Sequence, residues 1–551
     1  MKKRVISLIL AASLCTTGML SGCGKPAPKS AEGGNKAASQ EASKDTGGGI
    51  NVNKTGMPIV NEPIVLKGLV AQNKNVGDWN EHPAIKRMEE LTNIKIEWEC
   101  VPDAGFKEKL NLAFASNQLP DIILRAQISP SDEMKYATNG QIIALDEYKE
   151  YAPNFYAVLE QYPAIAKGTT LPDGHIYSLP QINFTEGNLI MHQWLNKAWM
   201  DQLNLPMPTT TDELYETLVA FRDQDPNGNG IKDEIPFAVP AKQYSTRMFE
   251  HLLGSFGIGV NGTLNVVDYD FTWLEVDKDK KVNFVPTEEK FKALVEYLNK
   301  LWSEGLIDTE SYAMDDSQVS AKANAGQIGF VPRMGNTQWL GGVKDNYVQP
   351  PVLEGPFGDR YYTYHIGNLQ STGTAVITSS NPYPEATMRW LDYFYSKEGT
   401  TLMRFGIEGK SYDVIDGKKV LKDEITNNPD GLTLDQALGK WALFPGGKLP
   451  QCITDDVDAS AAQLPATKAA NDVVRDYISP GPANFLRVNY TAEESKKMDI
   501  YKKDILDYAN ENTVKFITGE RPMSEWDAFI AEFDKMPVDE YVAINQAALD
   551  R

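Results

Sequence analysis

The chain has 551 residues and a formal net charge of −21, from 75 acidic against 54 basic side chains. A field of that sign repels polyanions and excludes long-range capture of nucleic acid, while the length exceeds what one hydrophobic core usually serves, so two lobes are predicted. Four cysteines are too few for a disulfide framework.

Met1-Lys2-Lys3-Arg4 followed by an apolar run from Val5 to Met19 has the anatomy of a secretory signal, and the run is too short to span a bilayer. It ends in Leu20-Ser21-Gly22-Cys23, which resembles a lipobox. That resemblance implies a signal peptide over residues 1–22, a diacylglycerol on Cys23 and a place on the outer face of a Gram-positive cell membrane. Losing Lys2, Lys3 and Arg4 takes the net charge from −21 to −24. Residues 23–61 are rich in Lys, Ser, Gly, Ala and Asn, a composition that cannot offset its ordering entropy, and are expected to form a flexible linker. At roughly 5–6 Å times the square root of residue number, it reaches about 30–40 Å.

Ile64 to Val70 reads as a buried first strand, followed by a helix over Pro83–Leu91 and an alternating strand over Ile94–Cys100. A helix over Phe106–Ala115 and an apolar strand over Leu119–Leu124 complete a βαβαβ opening, the pattern of a doubly wound α/β lobe. Ligands in such lobes meet the loops at the carboxyl ends of strands, here Asp78-Trp79-Asn80 and Arg125-Ala126-Gln127. Cys100, on the apolar face of its strand, is expected to be a small core residue. Whether Cys100 and Cys452 are bridged stays open. Thr209 or Thr211 can cap a helix carrying Leu214, Leu218 and Phe221, and Thr287 one that runs to Ser303.

Trp194-Leu195-Asn196-Lys197, Pro208 to Leu214, and Asn117 to Ile122 with Gly174 to Pro180 resemble the family 1 extracellular solute-binding proteins of oligosaccharide ABC importers. Pro384-Glu385-Ala386 with Trp390 to Gly399, Gly406 to Gly409, Phe516 to Glu520 and Ala547 to Arg551 are similar to the long Gram-positive lipoprotein branch. The resemblance implies two α/β lobes of a type II periplasmic-binding-protein-like fold, with a ligand cleft between them and crossing hinge segments. Lobe 1 is expected over 62–182 and 371–450, and lobe 2 over 183–370 and 451–551. It also implies a monomeric, non-catalytic receptor that delivers an oligosaccharide to permease subunits.

Asp223 to Glu234 meets the calcium-loop pattern of alternating oxygen ligands, a turn glycine in sixth place and a closing Glu in twelfth. The set lacks Cys and His and is rich in oxygen, which favours Ca2+ over zinc. Two registers are open. One begins at Asp223; the other, preferred on resemblance to alginate-binding relatives, uses Asp225, Asn227, Asn229, the backbone oxygen of Ile231, Asp233 and Glu234, with a structural ion.

Sugar recognition needs flat apolar faces and groups that pair with hydroxyls. Loop residues of those types make Trp79, Trp273, Trp339, Tyr364 and Trp441 the expected stacking platforms, with Arg125 and Arg333 as hydrogen-bonding partners. Trp98, Trp194, Trp199, Trp390 and Trp526 lie on periodic elements and are read as core. A secreted polysaccharide hydrolase or lyase and a peptide receptor are the alternatives. Against catalysis stands the lack of His-Glu-x-x-His, Gly-x-Ser-x-Gly and Gly-x-x-x-x-Gly-Lys motifs. The sequence leaves the identity and charge of the sugar open.

Overall fold

The computed structural model describes residues 51–551 except 186–190, 243–244, 262, 265–271, 335–342, 344, 364–367, 461–464, 480–484 and 487. The signal segment, Cys23 and the linker to residue 50 therefore lie outside the described residues, as do Trp339 and Tyr364.

The chain enters lobe 1 on β1 (Ile64–Gln72), then β2 (Ile94–Pro102), β3 (Ile122–Leu124) and β4 (Leu179–Asn183). β1 pairs in parallel with β2, Ile64 opposite Ile94, and with β3, Gly68 opposite Ile122. The helix Pro83–Thr92 links the first two strands. It starts where His82 Nδ1 accepts from Ala84 N, and stops at Asn93 in the left-handed region. Gly68 lets Trp98 lie across β1, since a Cβ there would meet the indole at 2.4 Å. The helix Pro153–Gln161 has no cap of its own; the buried carboxylate of Asp392 accepts from Asn154 N and Phe155 N and closes its first turn.

The chain then crosses to lobe 2 through β5 (Met191–Asn196), β6 (Ile235–Phe237), the short strands β7 (Thr263–Leu264), β8 (Leu274–Val276) and β9 (Val282–Phe284), and β10 (Ile328–Met334) with β11 (Tyr347–Val348). It returns on β12 (Leu369–Ile377), makes the hairpin β13 (Tyr412–Ile415) with β14 (Lys418–Leu421), and adds β15 (Gln451–Ile453). A third crossing leads to β16 (Phe485–Leu486) and the helices Ala492–Thr518, Trp526–Phe533 and Val538–Asp550.

Lobe 1 is a six-stranded sheet of order β15-β4-β12-β3-β1-β2, antiparallel only where β12 meets its two neighbours. Lobe 2 carries β11-β5-β10-β6 and β16-β7-β8-β9. Each lobe has its own hydrophobic interior. One is built around Trp98, Trp390 and Phe155, the other around Trp273, Phe291, Phe516 and Trp526. Segregated cores joined by strand crossings make a two-lobed α/β fold. Trp98, Trp194, Trp199, Trp390 and Trp526 are all buried.

Several edges differ from expectation. The folded body begins about ten residues before position 62, since Ile59 and Val60 are fully buried and Val52 bridges to Val60. Arg389 Nε holds the carbonyl of Lys54 at 3.0 Å. Two apolar residues in a polar stretch do not move a composition average, yet they suffice to dock it. β15 belongs to lobe 1, pairing Gln451 with Gln181, and Ala459 lies in the lobe 1 core, so that lobe runs past 450. Its first residue is a buried glutamine, which masks the strand. Thr210, between the two expected threonines, caps the helix Thr211–Asp223. The helix Glu289–Ser303 begins at Glu288, with Thr287 in the preceding turn. Cys100 and Cys452 are free thiols, each half-buried.

Candidate functional site

The carboxyl ends of β1, β3, β4 and β15 and the start of β12 lie on one edge of the lobe 1 sheet. Because β4 leaves for lobe 2 there and β12 arrives from it, this edge faces the second lobe. Across from it stand the start of β5 and the end of β10, where Arg333 pairs in register with His192.

Arg125 follows β3 with φ 56°, a left-handed position that turns its side chain under the loop at Gly446. Nη2 donates to Gly446 O at 3.2 Å and lies 4.0 Å from Asp103, while Nε and Nη1 have no protein partner. Gly446 must lack a side chain, as a Cβ would stand 2.3 Å from Asn73 Nδ2 and 2.7 Å from Arg125 Nη2. Burial draws the guanidinium below its ordinary pKa, and the Asp103 charge opposes that. Beside it runs a chain of carboxamides. Thr185 N donates to Asn183 Oδ1 at 2.8 Å, Asn183 Nδ2 to Gln370 Oε1 at 3.3 Å, and Gln181 Nε2 to the same Gln370 oxygen at 2.7 Å. Gln127 Nε2 donates to Ser371 Oγ at 3.3 Å.

On lobe 2, Arg333 donates to Ser320 Oγ and pairs with Asp316 at 3.3 Å, as Arg247 does at the same distance. Buried His192 shares a hydrogen bond with Asn471 at 2.9 Å and stacks on Trp194. Burial pushes its pKa down to about 4, so the ring is neutral at pH 7.

Of the expected binding residues, Arg125 and Arg333 stand on the facing edges. Trp79 and Trp273 do not, and this is a correction. Both have zero exposure, Trp79 against Trp98 and Trp273 against Phe249 and Phe291 with its Nε1 donating to Asn510. A ring closed on all sides has no face for a pyranose. Loop position suggested exposure, but each loop folds back onto its own core. Trp441 is half-buried on the lobe 1 core beside Gly406. The amides Gln181, Asn183 and Gln370 escaped the sequence reading, which held Gln127 only as part of the loop after β3. Their signal was amide side chains at strand ends flanking two crossings.

The acidic loop winds inward on its alternate residues. Asp225 accepts from Asn229 N and Gly230 N, Asn227 Oδ1 from Asn229 N, and Asn229 Oδ1 from Ile231 N. Asn227 and Asn229 both reach Asp233 Oδ1, at 3.2 and 3.0 Å. Asp223, by contrast, is clamped by Arg222 at 2.7 and 2.8 Å, which offsets a carboxylate at a helix carboxyl end. Glu234 Oε1 is buried without a partner.

A model of the family described as bacterial extracellular solute-binding protein matches residues 80–401. The chain is 31% identical over 490 residues, 86% of its length and 88% of the relative's, to the Streptococcus pneumoniae fructooligosaccharide ABC transporter substrate-binding protein FusA. It is 26% identical over 83% of its length, and 87% of the relative's, to the polygalacturonan/rhamnogalacturonan-binding protein YtcQ of Bacillus subtilis. Among solved structures, FusA in complex with kestose superposes with a TM-score of 0.73 over 88% of this chain and 99% of that one, at 28% identity. A FusA EF-hand mutant with fructo-nystose does so at 27% identity, covering the same shares with the same TM-score. The alginate-binding protein AlgQ2 without calcium ion, at 23% identity and a TM-score of 0.70 over 89% of this chain and 99% of that one, shares the fold.

Proposed function

The chain belongs to the bacterial extracellular solute-binding protein family, and from that membership we propose that it captures an oligosaccharide between its lobes and delivers it to an ABC importer, without catalysis. The observation that carries this is the polar edge of lobe 1 facing lobe 2, rich in amides that pair with hydroxyls. FusA, 31% identical, is a fructooligosaccharide ABC transporter substrate-binding protein. Lobe closure would exclude water from those pairs, and the crossings are the places where few backbone changes swing a lobe. We further infer a monomer held by a lipid on Cys23 at the outer face of the membrane. Among the described residues no helix is long and apolar enough to cross a bilayer. The tether would keep the cleft near its permease at high effective concentration.

The test is a thermal-shift and calorimetric screen of the protein from residue 24 onward against oligosaccharides, with product analysis of each mixture. An intact sugar that raises the melting temperature is the expected result. No stabilisation by any sugar, with one of them degraded, would instead favour a hydrolase. In membrane fractions of cells, Cys23→Ala is expected to release the protein to the medium.

The acidic loop is proposed to hold one structural Ca2+. The donor set fits: Asp225, Asn227, Asn229, Asp233 and Glu234 supply side-chain oxygens and Ile231 a carbonyl, and the orphaned Glu234 Oε1 is an acceptor awaiting a cation. Bound calcium would tie the end of the helix Thr211–Asp223 to β6. Added Ca2+ at about a hundred times its Kd should stabilise the fold by about 2.7 kcal/mol. Chelation that leaves the melting temperature unchanged, with no calcium by elemental analysis, would refute the site.

A further inference from the structure

The orientation of the lobe 1 amides is fixed by a backbone donor, and that fixes what they can offer a ligand. Thr185 N can only donate, so Asn183 presents its oxygen there and its Nδ2 to Gln370. Gln370 must answer with Oε1, which also receives Gln181 Nε2. Two donors on one oxygen turn the Gln370 amide nitrogen away from both. By the same logic Gln181 keeps its Oε1, whereas Gln127 meets the Ser371 hydroxyl, which both donates and accepts, and lies outside this relay. The relay thus presents one double donor, Gln370 Nε2, beside one amide acceptor, Gln181 Oε1.

We propose that this relay selects a neutral, hydroxyl-rich oligosaccharide over a uronate, with Gln370 as the specificity-determining residue. The proposal rests on the oligosaccharide-receptor reading above. A hydroxyl both donates and accepts, so neighbouring hydroxyls on one sugar ring satisfy Gln370 Nε2 and Gln181 Oε1 together. An ionised carboxylate only accepts. It would gain Gln370 and face the Gln181 oxygen as an uncompensated acceptor, an arrangement that costs more as closure removes water. The cation on this edge does not reverse the balance, because Arg125 is 1% exposed and Asp103 lies 4.0 Å from it. Among the described residues, Lys74 follows β1 and Lys448 follows Gly447, on loops leading from this edge.

The test is calorimetric titration of the protein from residue 24 onward with kestose, neutral malto- and galacto-oligosaccharides, and trigalacturonate, on the native sequence, Q370M, Q370E and the double variant K74A/K448A. Expected are binding of a neutral sugar, a loss of about tenfold or more in Q370M and a greater one in Q370E, which replaces the donor by an acceptor, and unchanged affinity in K74A/K448A. Melting temperatures within a degree or two of the native protein would show that the Gln370 variants are folded. Preferential binding of trigalacturonate, abolished by K74A/K448A, overturns the proposal and leaves the receptor reading standing. Neutral binding unaffected by Q370M overturns the role of Gln370. Failure of every sugar, neutral or acidic, overturns the receptor reading and this proposal together.

Discussion

Asp458→Ala is expected to destabilise the protein by about 3–5 kcal/mol, because it strands a buried cation. Asp458 sits in the third crossing, between β15 and the helix Pro465–Val474, and its carboxylate pairs with Arg404 while accepting from Ser460 N and Ser460 Oγ at 3.0 Å. Both side chains are nearly sealed, at 6% and 2% exposure. The guanidinium lies 4.4 Å over the Phe444 ring, and its Nε has no other protein partner. The alanine variant therefore leaves a desolvated charge over a ring face, with only the more distant Asp435 carboxyl as a counter-charge. Replacing both members together by Met and Leu should recover most of the loss, because the desolvation cost disappears with the charges. Urea denaturation of the three variants measures this. A single-variant loss below about 0.5 kcal/mol would show the pair to be solvated.

The same pair sets an acid response. Burial raises the Asp458 pKa, but the Arg404 charge and the Ser460 hydrogen bonds outweigh it and hold the carboxyl below its ordinary value. A carboxyl whose folded pKa lies below the unfolded value, about 3.9, contributes stability above the latter and loses it as pH falls through the folded pKa. Native and Asp458→Asn proteins should thus converge in stability as pH falls below about 4.

Trp79→Ala should cost about 3–5 kcal/mol, whereas Trp79→Phe should cost under about 1.5. The indole is wholly buried in the lobe 1 core, its ring centre 5.1 Å from that of Trp98 in an edge-to-face contact. Removing it leaves a cavity next to the stack that continues to Trp390. Its Nε1 has no partner, so phenylalanine forfeits volume but no hydrogen bond. The discriminating readout is sugar affinity measured under conditions where the variant stays folded. It should be unchanged, and a stable Trp79→Ala protein that had lost its sugar would restore Trp79 as a binding platform.

Periodicity was legible wherever one face of an element is buried. The alternation in Ile94 to Cys100 and the continuous run from Ile64 carried the parallel opening of lobe 1, and the spacing of Phe291, Leu294, Val295 and Leu298 carried the inner face of its helix, because burial of a repeating face leaves a repeating pattern. β15 left no such mark, since the carboxamide of Gln451 occupies a fully buried position in the sheet. The acidic loop was legible as a local motif whose ligands are all neighbours in the chain.

The polar edge proposed to take the sugar was not legible, and the reason is sequence distance. Gln181, Asn183 and Gln370 meet, and Gln127 reaches Ser371, only because β12 returns from lobe 2 to lie between β3 and β4. The same distance misled the reading of Trp79 and Trp273, whose loops fold back onto cores built from residues far along the chain. By itself the sequence determined the elements, the two lobes and the family, because hydrophobic periods and short motifs are local. Only the tertiary structure decided which polar side chains share an edge and which way their amides point, because that depends on strand order and on single hydrogen bonds between residues nearly two hundred positions apart.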